Sequence, residues 1–154
     1  MFTVISILLV IFFLLMNAFF VIAEFALVRV RKSQIELAVE EKKPGARAAK
    51  KIAENINAYL SACQLGITLA SLAIGWLGEP AVSAVLEMPL LAAGLPESTI
   101  YPICVGVGFF IVTTLHVVVG ELIPKSFAIF STEKYALATA GPLALFYKIT
   151  YPFM

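Results

Sequence analysis

The sequence contains no aspartate; its ten acidic residues are all glutamate. It has a single histidine, His116, and two cysteines, Cys63 and Cys104. Charged residues make up 14% of the chain, where a soluble domain carries about a quarter. Each shortage excludes something. Without aspartate there is no Ser-His-Asp set. One histidine cannot supply the His-Glu-x-x-His helix of a zinc protease. Two cysteines inside apolar segments, with no metal-type spacing, read as small apolar side chains. The expectation is therefore a protein that is not an enzyme. A net charge of +1 gives no global pull toward any partner, and no nucleic acid is expected.

What the chain has in abundance is apolar sequence, 61% of 154 residues. A membrane protein follows, all-helical because a helix satisfies its own backbone in lipid. About 20 apolar residues cross the hydrocarbon core. Three stretches qualify: residues 2–28, 58–77 and 100–123. The first is too long for the h-region of a signal peptide and has no small-residue cleavage site. Gly78-Glu79-Pro80 reads as the end of the second, with a loop over 79–98. Between the first two spans, residues 33–54 alternate charge with Ile35, Ala38, Ala49 and Ile52. They read as two short amphipathic helices, broken at Lys43-Pro44-Gly45 and lying along the membrane surface. Residues 131–151 are apolar but short, and Gly141-Pro142 interrupts them. We read them as a juxtamembrane segment on the cytoplasmic side, like residues 33–54. The chain looks cut from a longer protein.

Orientation follows from the positive-inside rule. Residues 29–53 hold eight of the eleven Lys and Arg, and residues 79–98 hold none. That places the N-terminus outside the cell membrane and the basic segment and C-terminus in the cytoplasm.

The chain's chemistry concentrates in Thr113-Thr-Leu-His-Val-Val-Val-Gly-Glu-Leu-Ile-Pro-Lys-Ser126. Proline has no N–H and clashes with the carbonyl four residues back. Pro124 should therefore kink or bulge the helix and strip the Gly120 carbonyl of its usual partner. That oxygen lies beside the Glu121 carboxylate, and hard cations prefer oxygen ligands. Ionisable residues at membrane depth mark function by default, and three qualify: Glu24, His116 and Glu121. Asn17 and Glu24 share a face of the first span. Gln64, Thr68 and Ser71 share one on the second, and Thr113, His116 and Gly120 one on the third. In a regular helix Glu121 is turned about 140° from His116; a bulge would bring it round. Each residue has a plainer role open to it. Glu121 faces Lys125 at the favourable i,i+4 spacing. Glu24 is five residues from Arg29. His116 is as well suited to orienting a neighbour, and the second-span stripe to bonding helices together.

Asn17-Ala-Phe-Phe-Val-Ile-Ala-Glu-Phe-Ala-Leu27, Leu60-Ser-Ala-Cys-Gln-Leu-Gly-Ile-Thr-Leu-Ala-Ser71 and Gly120-Glu-Leu-Ile-Pro-Lys-Ser126 resemble the transmembrane domain of the CorC/CNNM family of magnesium-transport proteins. The resemblance covers nearly the whole chain. It implies a homodimer in the bilayer, three transmembrane helices per subunit, a juxtamembrane helical belt and cytoplasmic CBS modules that bind ATP. It also implies Mg²⁺ in an inward-facing cavity, with a carboxylate ligand from Glu121 and a carbonyl ligand from Gly120. Further backbone carbonyls would come from the neighbourhood of Cys63 and Gly66. Two positions depart from the family's pattern. A serine three residues before the first-helix glutamate is here Val21, and the asparagine of Gly-Asn on the second helix is here Ile67. Gln64, Thr68 and Ser71 are candidate replacements for the asparagine, and Asn17 or Glu24 for the serine. The function implied is Mg²⁺ export, with Na⁺ as a candidate coupling ion and Gly120 with Pro124 as the hinge. The alternative is a membrane sensor or anchor for the cytoplasmic modules that carries no flux.

Overall fold

The computed structural model describes the backbone of residues 2–153 and the side chains of residues 3–152. Helix α1 is Phe2–Arg29, and nearly every residue in it is apolar. Two short helices follow, α2 over Lys32–Glu40 and α3 over Ala46–Glu54. The start of α2 is fixed by the Arg31 N–H, which donates to Gln34 Oε1 at 3.0 Å, half of a capping box. The break between α2 and α3 falls at 41–45. Gly45 there adopts a φ of +82°, the left-handed region open to glycine.

Their apolar faces do not look outward onto lipid. Ile35, Ala38, Ala46, Ala49 and Ile52 are buried with Ala26 and Leu27 of α1 and with Ala136, Ala140 and Leu143. The two amphipathic helices expected between the first two spans are present, and their apolar faces pack on α1 and on residues 136–143. The sequence places small residues on those faces, and small residues let helices approach closely. The pair therefore packs into a belt of its own.

The belt is also clamped electrostatically. Lys43 Nζ lies 2.8 Å from a carboxylate oxygen of Glu133 and 2.8 Å from one of Glu41. Glu133 and, secondarily, Glu41 hold the Lys43 ammonium above the ordinary lysine range. A pKa raised on folding favours the fold below the unfolded-state value, and the benefit fades as pH rises past it. Thermal unfolding of wild type and Lys43→Met should therefore differ by a constant margin from neutral pH to about pH 10. The margin should close only above that. A margin that closes below pH 9 would contradict the assignment.

Helix α4 runs unbroken over Ile56–Ala92, 37 residues that include Pro80 and Pro89. The expected end at Gly78-Glu79-Pro80 is thus corrected, and the loop shrinks to 93–96. Each proline costs the helix one internal bond, but packing against the next helix offsets it. Gly78 meets the Val112 side chain so closely that a Cβ there would lie 2.6 Å from a Val112 methyl. Ala81 and Ile100 are buried in the same seam. The neighbouring helix α5 covers Glu97–Leu115, and His116–Leu122 continues it as a π-helical turn. Helix α6, Ile123–Phe130, completes this third rod. Helix α7, Thr132–Thr150, passes through Gly141-Pro142 without interruption, a second correction to the expected breaks.

Three rods are long and apolar enough to cross a membrane: Thr3–Arg29, Ile56–Ala92 and Glu97–Phe130. Helix α7 is not among them. It packs instead on α1, α3 and α4. The architecture is all-helical, with no strand among the described residues.

Candidate functional site

The π turn sits where Pro124 requires it. The Ile123 N–H reaches back to the Val118 carbonyl, a five-residue step in place of four. Pro124 follows, buried at the first turn of α6, where its missing N–H costs least. The extra residue shifts Glu121 relative to His116, yet Glu121 pairs with Lys125 and is not among the residues lining the cavity beside His116.

The candidate residues divide into two layers. The first is a hydrogen-bonded network across three helices. Asn17 is fully buried and donates from Nδ2 to the Gly120 carbonyl at 3.0 Å. Ser71 Oγ lies 3.4 Å from Asn17 Oδ1 and 3.2 Å from His116 Nε2. The polarity of this chain is fixed at the Gly120 end. A carbonyl only accepts, so the Asn17 amide must turn its NH₂ toward Gly120 and its oxygen toward Ser71. Ser71 either donates to that oxygen and accepts from a His116 Nε2–H, or donates to Nε2, according to the ring's tautomer. Gly120 is required by proximity: a Cβ there would come within 3.0 Å of both Asn17 Nδ2 and His116 Cδ2. The carbonyl expected to be bare thus carries an amide donor. Asn17 acts on the backbone of the turn, and His116 is tied to Asn17 through Ser71. A cavity of about 90 Å³ flanks the network, lined by Ser71, Thr113 and His116 together with Glu79. In the sequence Glu79 reads as a loop residue because Pro80 follows it; the unbroken α4 carries it to this cavity.

The second layer is charged. Lys125 Nζ lies 3.1 Å from Glu121 Oε2, the i,i+4 pair, and 5.3 Å from the centre of the Phe25 ring. Glu24 has Gln64 as hydrogen-bond neighbour and Lys125 as the nearby positive charge. The base beside Glu24 is therefore Lys125, whereas Arg29 makes no ion pair among the described residues. Glu24 and Glu121 converge on one ammonium from two helices. The layers are seven residues apart on α1 (Asn17 to Glu24) and seven apart on α4 (Ser71 to Gln64), roughly 10 Å at helical rise.

The other candidates fall outside both layers. Thr68 is exposed and donates to its own Gln64 carbonyl at 2.8 Å. Cys63 is fully buried in the apolar core. Gly66 lies against the Phe20 ring, where a Cβ would come within 2.6 Å of three ring carbons. Val21 is buried and Ile67 packs against the core. Among the described residues, no group of three or more His, Cys, Asp or Glu side chains is placed to hold a metal. A cation here would have two carboxylates at most, with amide and backbone oxygens or water completing its shell.

Residues 8–154 match the family described as the Cyclin M transmembrane N-terminal domain, CNNM. The chain belongs to this family. Among its CNNM relatives, the UPF0053 protein YugS of Bacillus subtilis is 49% identical over 138 residues, 90% of this chain and 32% of the relative. The UPF0053 protein YrkA of the same organism is 41% identical over 152 residues, 99% of this chain and 35% of the relative. The uncharacterised protein Rv1841c of Mycobacterium tuberculosis is 34% identical over 138 residues, 90% of this chain and 39% of the relative. The chain thus spans about a third of the length of the curated relatives it matches. It is the multi-pass membrane domain of a CNNM protein.

Proposed function

We propose that this domain carries a divalent cation, Mg²⁺ by its oxygen donors, out of the cytoplasm. One observation carries the reading. Glu121 of the π turn and Glu24 of α1 share one ammonium, that of Lys125, and Gln64 hydrogen-bonds Glu24, a concentration of ionisable side chains on apolar spans that marks function. Mg²⁺ demands oxygen ligands in near-octahedral order and gives up water reluctantly. Two carboxylates, the Gln64 amide oxygen and backbone carbonyls of the turn are a suitable set. Lys125 is the built-in counter-charge: its ammonium neutralises Glu121 until a dication displaces it. The hinge is the Gly120–Pro124 turn, whose one-residue excess can be taken up or released.

The charge distribution supports an orientation with α2 and α3 in the cytoplasm and the N-terminus outside the cell membrane. On this reading two copies form a homodimer. The remaining two-thirds of a full-length protein supplies cytoplasmic CBS modules that bind ATP, and Na⁺ entry drives export.

The test is Mg²⁺ flux into or out of proteoliposomes holding the full-length protein. Glu121→Gln should lower it at least about tenfold, the scale on which even an outer-shell partner matters to a metal. Unchanged flux would remove Glu121 from the pathway. A second reading draws on the same ion pair. If Mg²⁺ displaces Lys125 from Glu121 and goes no further, the domain is a sensor or anchor for its cytoplasmic modules. Calorimetry would then show Mg²⁺ binding with no flux in wild type.

A further inference from the structure

A second place in the molecule is shaped for an anion. Where α3 hands over to α4, a cavity of about 670 Å³ opens against the C-terminal half of α7. This lies within the usual range of ligand sites. Lys51 and Lys148 line it from opposite sides, and no acidic side chain does. Elsewhere in the belt, Lys43 is spoken for by Glu41 and Glu133. Lys51 and Lys148, by contrast, have neither an ion pair nor a hydrogen bond among the described residues.

The floor is aromatic. Tyr59 is buried, with its ring 4.4 Å from that of Tyr147, and Tyr151 stands edge-on to Tyr147 at 5.7 Å. Depth completes the picture. The membrane-crossing rod of α4 begins at Ile56, so Lys51 lies just before it and Tyr59 about one turn inside. Tyrosine at that level sits among headgroups, with its ring in the apolar layer and its hydroxyl toward water. Leu145, which lines the cavity, and Ile149, one turn on along α7, are both more than 60% exposed and offer an apolar surface beside Lys148.

We infer that this cavity binds an anionic phospholipid, its phosphate between Lys51 and Lys148 and an acyl chain along Leu145. Unopposed positive charge calls for an anion. The adjoining apolar surface and interfacial tyrosines call for one that is attached to a lipid tail. The bound lipid would brace α7 against the start of α4. The inference is independent of what the domain transports.

The test is native mass spectrometry of the detergent-solubilised full-length protein, titrated with dioleoyl phosphatidylglycerol or dioleoyl phosphatidylcholine. Phosphatidylglycerol should be retained in preference. The double variant Lys51→Gln/Lys148→Gln should lose that preference by roughly twenty-five-fold, the product of two lysines each worth about fivefold at a membrane surface. Both lysines are exposed, so folding should survive, and a monodisperse elution profile checks this. Lys42→Gln/Lys50→Gln removes two exposed belt lysines outside the cavity and should bind as wild type does. Four results would each overturn the site: equal retention of the two lipids, wild-type retention by the first variant, equal loss in the second, or competition by millimolar inorganic phosphate or ATP. The last would assign the lysines to a soluble phosphate.

Discussion

Asn17→Leu is expected to destabilise the domain more than any other single change in the buried polar set. The side chain is fully buried and satisfies two partners on two other rods. Leucine matches its size but offers no polar atom. The Gly120 carbonyl follows, because Pro124, four residues on, has no N–H to replace the lost donor. Ser71 loses its acceptor in the same step. A buried group left without a partner costs about 1–3 kcal/mol; the Gly120 carbonyl is such a group, whereas part-buried Ser71 keeps His116, so the loss is about 1–3 kcal/mol before repacking. Thermal unfolding in detergent, followed by intrinsic fluorescence, measures it. Asn17→Asp keeps the shape and an acceptor for Ser71 but sets an oxygen against the Gly120 carbonyl. It should be destabilising as well, and less so at low pH, where a protonated carboxyl can donate. Loss of stability in Asn17→Leu without any in Asn17→Asp would mean that only Ser71 matters and that the turn holds itself.

The second large effect is expected at Gly45. Any residue with a Cβ pays about 1–2 kcal/mol for a left-handed conformation. Here the Cβ would also be driven into the Leu137 backbone carbonyl of α7, which no rotamer change relieves. Gly45→Ala should therefore separate α3 from α7, visible as a broadened or lost monodisperse peak in size-exclusion chromatography. Gly94 provides the control. Its φ is +79°, yet nothing lies within 4 Å of its Cβ position. Gly94→Ala should show the conformational cost alone. Equal behaviour of the two variants would remove the close approach of α3 to α7 from the explanation.

Much of this was legible in the sequence, for identifiable reasons. Apolar run length located the three rods because the requirement to cross hydrocarbon is one-dimensional. Pro124 announced the irregular turn, since a missing N–H has no local remedy. Proline is not equally decisive everywhere: α4 and α7 continue through theirs. Pro80 and Pro142 lie in helices whose neighbours hold them: Gly78 against Val112 in one case, and Ala140 and Leu143 against the belt in the other. Those contacts are long-range and invisible to spacing. The same limit applies to the site. Helical spacing grouped Gln64, Thr68 and Ser71 on one stripe. The structure sends Gln64 to Glu24, Ser71 to Asn17 and His116, and leaves Thr68 exposed. A stripe broad enough to hold three residues faces more than one neighbour. Val21 and Ile67 gain a meaning only in three dimensions. Asn17 lies one turn before the first and Ser71 one turn after the second. In antiparallel helices both displacements run the same way, roughly 6 Å away from the basic belt.

Helix α4 has a mechanical consequence. Its 37 residues make a rod of about 55 Å, while the hydrocarbon layer is about 30 Å thick. It is rooted beside the lysine-rich belt and ends in the short turn toward α5, so its length exceeds what the crossing needs. A tilt of about 5° at the root would swing that tip by roughly 5 Å. A push at either end would be felt at the other, with Ser71 part-way along the shaft.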